Sequence, residues 1–326
     1  LLERGACEPD FEDTAGAWLT AAIDALNTAE APGDGTPDGS ESSTTAAASV
    51  DAVTAQASDG ATPAVVYSRK NPLATRMIAN ELLSAPGSAK QVRRLAFELP
   101  TGTLEYTAGD ALGVWPHNRS ELVDEWLERT GLDGELAIGL DGEMMPLRAA
   151  LTDRLDITRI TTALLRLLAD RHDDPELATL IDEPARIADW AWGRQAIDLL
   201  AAYPVSTGVD EWLSVLPKLT PRLYSISSSP RTDPGRVEVT VSTVRFDGPA
   251  GARHGVCSGY LADLPEQEPV RIFIQRNKSF GPPEDPAAPM VMIGPGTGIA
   301  PFRGFLHDRA AAGATGENWL FFGEQH

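Results

Sequence analysis

Residues 290–323 read MVMIGPGTGIAPFRGFLHDRAAAGATGENWLFFG, and this stretch decides the fold class. MVMIG is a short apolar run of the kind that forms a buried strand. Gly294, Pro295, Gly296, Thr297 and Gly298 follow as a glycine-rich turn. APFRGFLHDRAAAG predicts a helix, with Pro301 near its first turn, where a missing N–H costs nothing. NWLFFG predicts a second strand. Strand, turn, helix and strand in that order open a doubly wound nucleotide-binding sheet. The glycines let a ligand approach the backbone closely, and the helix N-terminus favours negative charge there. The spacing differs from G-x-G-x-x-G, and glycines that merely make a tight turn are the plain alternative. No lysine follows as in a P-loop, which speaks against an NTPase. Two strands and one helix are too little to stand alone. The chain is therefore expected to be part of a longer protein, with 286–326 the start of this domain.

Working outward, strands are expected at Gln91–Leu99, Leu223–Ser227, Val237–Val244 and Val270–Gln275. YTAGDALGVWP adds a turn at Gly109-Asp110 and an apolar strand stopped by Pro116. Between the early and late strands, ELVDEWLERTG, TALLRLLAD, PARIADWAWGRQAIDLLAAY and VDEWLSVL carry 3.6-residue periodicity with Gly or Pro stops. Strands, a helical block and strands again predict a barrel over 63–285 with a helical insertion at about 118–218. The fold class expected is thus α+β and α/β multidomain. Its parts are an antiparallel β-barrel with a helical connecting insertion and then a partial doubly wound domain. Residues 30–62 are acidic, small and turn-rich, which predicts a flexible linker. Before it, Trp18, Leu19, Ile23 and Leu26 mark a short amphipathic helix closing a preceding domain.

Three segments point to chemistry. In PRLYSISSSP, Arg222 offers a guanidinium fork suited to a diphosphate. Tyr224, two residues on and on the same strand face, offers a ring that stacks on a flat heterocycle. A strand carrying Arg and Tyr is also ordinary surface and core. In HGVCSGYLADL, a glycine and a small hydroxyl residue at a helix start present free N–H groups that bind phosphate. Ser258 as the cap of an ordinary helix is the other reading. The third segment is the Gly294–Gly298 turn.

The formal net charge of -20 argues against a nucleic-acid ligand, whose phosphates need a basic face. It fits either plain solubility or an acidic surface that docks a basic redox partner. The two cysteines, Cys7 and Cys257, form neither a metal motif nor a disulfide framework, which fits a reducing cytosol. Five scattered histidines give no metal spacing. No apolar run approaches the roughly 20 residues that span a bilayer.

Taken together, PRLYSISSSP, VEVTVSTVRFDG, GVCSGYLADL, MIGPGTGIAPFRGF and NWLFFG resemble the ferredoxin–NADP reductase superfamily. GDALGVWP and the helical insertion point to its diflavin branch, which includes the sulfite reductase flavoproteins. The resemblance covers nearly all of 63–326, and ACEPDFEDTAGAWL looks like the end of that branch's flavodoxin-like FMN domain over 1–29. It implies an oxidoreductase with FAD and NADPH as cofactors, and FMN in the preceding domain. Arg222, Leu223, Tyr224 and Ser225 match the FAD signature: Arg222 on the diphosphate, Tyr224 on the isoalloxazine, Ser225 near N5 as the catalytic position. Thr240, Val241, Ser242 and Phe246 match FAD-lining positions, although Val241 and Phe246 also read as core. Gly255, Val256, Cys257 and Ser258 match the phosphate turn, and Thr158 matches an FAD contact from the insertion. Gly294, Pro295, Gly296, Thr297 and Gly298 match the nicotinamide-nucleotide loop. The choice of NADP over NAD is inherited from the resemblance. The implied partner is a redox acceptor protein, a sirohaem iron–sulfur sulfite reductase subunit. The alternatives are the same core serving nitrate reductase or a cytochrome, and a non-catalytic FAD-binding fragment.

Overall fold

The computed structural model describes residues 66–265 and 268–324. The expected helix at 15–29 and linker at 30–62 lie outside the described residues. In chain order the strands β1 (Leu73–Leu82), β2 (Gln91–Glu98) and β3 (Ala111–Trp115) come first. The block that follows holds α1 (Ser120–Thr130), the hairpin β4 (Ala137–Leu140) and β5 (Glu143–Pro146), α2 (Leu147–Asp153) and α3 (Thr162–Ala169). It continues with α4 (Pro175–Asp182), α5 (Ile187–Trp190), α6 (Ala196–Ala202) and α7 (Val209–Val215). Next are β6 (Arg222–Ser225), β7 (Arg236–Thr243), the hairpin β8 (Arg245–Gly248) and β9 (Gly251–His254), α8 (Val256–Asp263) and β10 (Pro269–Gln275). The last elements are β11 (Met290–Pro295), α9 (Ala300–Ala311) and β12 (Asn318–Gly323).

Six strands pair antiparallel in the order β6-β3-β10-β1-β2-β7. Phe97, Leu112, Val114, Ile226, Val237, Val239, Val241 and Ile272 form the core on this sheet. Burying each such side chain contributes roughly 1.5–3 kcal/mol. The sheet is not a closed ladder. Its edge strands meet through one bridge, Ile226–Val239, and the Ser227 N–H donates to Glu238 O at 2.8 Å. Closure as a barrel is therefore not among the paired strands. β1 escapes a periodicity reading because an inward position is polar. Thr75 is buried and its hydroxyl donates to Glu98 O at 2.7 Å, and a bulge between Met77 and Ala79 shifts the register.

The helical block buries its own core, in which Trp126 and Trp212 meet edge-on at 5.1 Å between ring centroids. Local signals set its helix ends. Gly131 closes α1 at φ 69°, the Thr161 side chain accepts from Leu164 N at the start of α3, and Asp174 caps α4 ahead of Pro175. PARIADWAWGRQAIDLLAAY breaks at Gly193, φ 73°, so that α5 and α6 are separate.

β11 and β12 pair in parallel, with α9 between them in sequence. Arg309 of α9 is buried and donates to the Ala288 and Gly316 carbonyls at 2.9 and 3.0 Å. A Cβ on Gly304 would stand 2.9 Å from Ser228 O, so α9 rests backbone-close on the segment that follows β6. Among the described residues, no helix is long and apolar enough to cross a membrane.

Candidate functional site

β6 alternates as its sequence predicts: Arg222 and Tyr224 are half-buried on one face, and Leu223 and Ser225 are exposed on the other. Opposite it in β3 lies Gly113, where a Cβ would fall 2.2 Å from the Phe273 ring. Only glycine lets that ring close under the strand. The Arg222 guanidinium donates through Nη1 to Thr220 O at 2.9 Å and Oγ1 at 2.7 Å. Its Nη2 lies 3.8 Å from Asp156 Oδ2, and the side chain stays 41% exposed. Such an arginine is oriented but not saturated.

Asp156 links two of the expected FAD residues. It is buried, and its Oδ1 accepts from the Thr158 hydroxyl at 2.7 Å, Thr158 N at 3.0 Å and Arg159 N at 3.2 Å. Thr158 and Arg222 thus share one carboxylate. Tyr224 reaches the other side of the site. Burial, then the neighbouring Cys257 thiol, pushes its hydroxyl well above the usual range. Burial likewise raises the Cys257 thiol to about 12, so it is neutral and no nucleophile at physiological pH.

Gly255 precedes the first turn of α8, and no side chain caps that helix. Ser258 is not the cap; it lies inside the helix and its Oγ accepts from Val244 N at 3.1 Å, tying α8 to the end of β7. The first-turn N–H groups of Val256, Cys257 and Ser258 have no partner within the helix, as at every helix start. On β7, Thr240 and Ser242 are half-buried and Val241 lies in the sheet core; Phe246 of β8 is half-buried.

A cavity of about 140 Å³ joins Thr158 to the Gly255–Val256 turn, lined also by Asn118, Gln195, Arg253 and His254; Arg222, Tyr224 and the β7 residues lie outside its lining. Gln195 Nε2 donates to His254 O at 2.8 Å. Burial, with Arg119 and Arg245 nearby, lowers the His254 pKa and so favours the neutral imidazole. In the cavity wall Arg253, 5% exposed, donates to Asp198 Oδ1 through Nε at 3.0 Å and Nη2 at 2.8 Å, and to Glu125 Oε2 at 3.2 Å. Asp198 also accepts from the backbone N–H of Gln195 at 2.8 Å and of Ala250 at 3.1 Å. This ionic node fastens α1 and α6 to the β8–β9 hairpin. A larger cleft of about 700 Å³, flanked by Thr107, Lys278 and Phe280, involves none of the expected residues.

The glycine loop is separate, and none of Gly294–Gly298 lines the smaller cavity. Gly294 is buried, and a Cβ there would lie 2.9 Å from the Gly298 carbonyl. Gly296 has φ 54°, and a tight turn over Gly296–Ile299 runs into α9 beside β7. Pro295, Thr297 and Gly298 are at least partly exposed around it.

The structure therefore brings Thr158, Arg222, Tyr224 and the Gly255–Ser258 turn together, with β7 alongside. Sequence reasoning missed Asp156, Asn118, Gln195, Asp198 and Arg253. Asp156 carried a local signal, since an aspartate two residues before a threonine is a common side-chain-to-backbone turn. So did Asp198, which stands three residues after the N-cap of α6 in the place of a capping-box carboxylate.

A family model described as FAD binding domain matches residues 66–260. A second, Oxidoreductase NAD-binding domain, matches residues 292–326. Among curated proteins, the sulfite reductase [NADPH] flavoprotein alpha-component of Mannheimia succiniciproducens is 38% identical over 327 residues, 100% of this chain and 52% of the relative. That of Cronobacter sakazakii is 37% identical with the same coverage. That of Yersinia pestis is 40% identical over 277 residues, 84% of this chain and 45% of the relative. The chain spans about half the length of the curated relatives it matches.

Proposed function

We infer, given that the chain belongs to the FAD binding domain family, that it is the FAD-holding, NADPH-reading portion of a flavoprotein reductase. The single observation that carries this is convergence. Thr158, Arg222 and the Gly255–Val256 turn, far apart in sequence, are joined through Asp156 and one cavity. The mixed set of donors and acceptors fits a dinucleotide. Arg222 keeps unsaturated N–H groups, α8 presents its first turn, and Asn118 Oδ1 and His254 Nδ1 are buried without a hydrogen-bond partner among the described residues.

In this reading Arg222 and the Gly255–Ser258 turn hold the FAD diphosphate, with Thr158 fixed by Asp156 at their side. Tyr224 offers its ring to the isoalloxazine, Ser225 stands on the side where hydride arrives, and Thr240, Val241, Ser242 and Phe246 line the site. Gly294–Gly298 receives the nicotinamide nucleotide at the N-terminus of α9. The flavin, when bound, takes up a hydride and passes electrons on singly; the protein supplies binding, orientation and exclusion of water.

The finer architecture belongs to the same proposal. An FAD-type barrel is supported by the Ile226–Val239 bridge between the edge strands, and a doubly wound domain by the parallel β11–β12 pair around α9. The segment division is 1–29, 30–62, 63–285 and 286–326. The relatives are called sulfite reductase [NADPH] flavoprotein alpha-components. From that name we take sulfite reductase as the destination of the electrons; their passage through FMN to a sirohaem iron–sulfur subunit in the cytoplasm is what the family resemblance implies.

A visible spectrum of the purified chain, followed by NADPH, tests the reading. We expect flavin bands that bleach. Bands that persist restrict the function to FAD binding, and no bands after added FAD overturn the Arg222–Ser225 assignment.

A further inference from the structure

We propose that Glu238 is a positioning residue that locks the helix behind the nucleotide loop onto the FAD sheet, and so sets how that loop meets the flavin. The inference rests on the reading of Gly294–Gly298 given above.

Glu238 sits on β7 with its side chain 1% exposed, among three arginines from three elements. Oε1 accepts from Arg94 Nη1 of β2 at 2.6 Å, with Arg236 Nε at 3.4 Å. Oε2 accepts from Arg303 Nη1 of α9 at 2.7 Å. The same Arg303 nitrogen donates to Ser227 O at 2.7 Å, two residues past Ser225. The Glu238 backbone holds that segment too: its carbonyl accepts from Ser227 N at 2.8 Å and its N–H donates to Ser228 Oγ at 2.9 Å. One residue thus grips the chain that follows the FAD signature and the first turn of the helix that follows the nucleotide loop.

A buried carboxylate is tolerated only where charges pair it, so this contact is built rather than incidental. The remaining side-chain link between α9 and the same segment is farther along the helix, where Asp308 accepts from Ser229 Oγ at 2.7 Å and lies 3.3 Å from Arg231 Nε. Losing the Glu238–Arg303 link would leave α9 held at Asp308 and at the Gly304–Ser228 contact, and loosen the turn that leads into the helix. Arg94 serves as the internal control, because it contacts Glu238 and Glu81 from within the sheet and never touches α9.

The test uses the FAD-loaded chain and its E238Q, R303Q and R94Q variants. Stopped-flow reduction by NADPH is expected to lose at least ~10-fold in limiting rate for E238Q and R303Q, through misplacement of the reacting groups. Half-saturating NADPH and FAD content should stay unchanged, and R94Q should match the wild type. Independently of activity, amide hydrogen exchange at Gly296–Arg303 in the FAD-free chain should speed up ~10-fold in E238Q and R303Q but not in R94Q. Equal exchange in all four proteins, or equal slowing in R94Q and R303Q, overturns the proposal. So does loss of FAD from E238Q, if R303Q keeps the flavin and the wild-type rate. A wild-type chain that binds FAD but does not bleach restricts the function above to FAD binding instead, and the exchange measurement alone then decides the role of Glu238.

Discussion

Two arginines of the candidate site, Arg253 in the wall of the smaller cavity and Arg222 linked to it through Asp156 and Thr158, are held in opposite ways. Arg253, at the joint between the helical block and the β8–β9 hairpin, is almost fully buried and meets two carboxylates at hydrogen-bond distance. Arg222, at the start of β6, is 41% exposed and reaches its carboxylate only at 3.8 Å. The first is a strut whose charge is spent inside the protein. The second is aimed by Thr220 and Asp156 yet keeps donors in reserve for something outside the chain. Saturation of a cation, more than its closeness to a cavity, separates scaffold from binding group.

Substitution sharpens the contrast, and the largest effect belongs to the strut. Arg253→Met strands Asp198 in the interior, and breaking such a buried pair costs about 3–5 kcal/mol. Denaturant unfolding of the FAD-free chain measures it, and a loss below about 1 kcal/mol would erase the distinction. Arg222→Gln comes next. The FAD-free chain should lose no more than about 1 kcal/mol, in line with exposed pairs. FAD affinity should fall roughly 10- to 100-fold, because hydrogen bonds to a charged group contribute about 1.5–3 kcal/mol. Fluorescence titration reads the affinity; an unchanged affinity with a stability loss as large as that of Arg253→Met would make Arg222 a second strut. At the bottom is Arg186→Ala, which removes an exposed pair with Glu183 at 3.3 Å and should shift stability by less than about 0.5 kcal/mol. A larger shift on the same denaturation curve would show that exposure is a poor guide to the role of arginines here.

The same contrast explains what the sequence disclosed. Arg222 and Tyr224 were legible because strand alternation alone puts them on one face. Most helices of the insertion were legible from periodicity and from stops such as Gly131, while α4 was not singled out. β1 was not, since Thr75 replaces an apolar residue on its inner face. Arg253 and Glu238 were illegible for a deeper reason. Each carries its meaning in a partner many residues away, Arg253 with Asp198 and Glu238 with Arg94 and Arg303, and no local pattern encodes such a pairing. Ser258 misled in the reverse sense: it has the chemistry of a cap, but its hydroxyl is taken by Val244 N. Thr158 entered through the family resemblance alone, and its link to Asp156 supplies the physical reason for its place.

Gly304 has a mechanical consequence. Because Gly304 has only hydrogens on its α-carbon, the helix lies close against the Ser228 carbonyl, and no side chain there can rotate or compress to take up slack. The junction behaves as a stiff coupling rather than a cushion. A displacement at Ser227–Ser228 is therefore passed along α9 toward Gly296 almost undamped. Any added methyl group at 304 would act as a wedge, tilting the helix and misaligning the loop it carries.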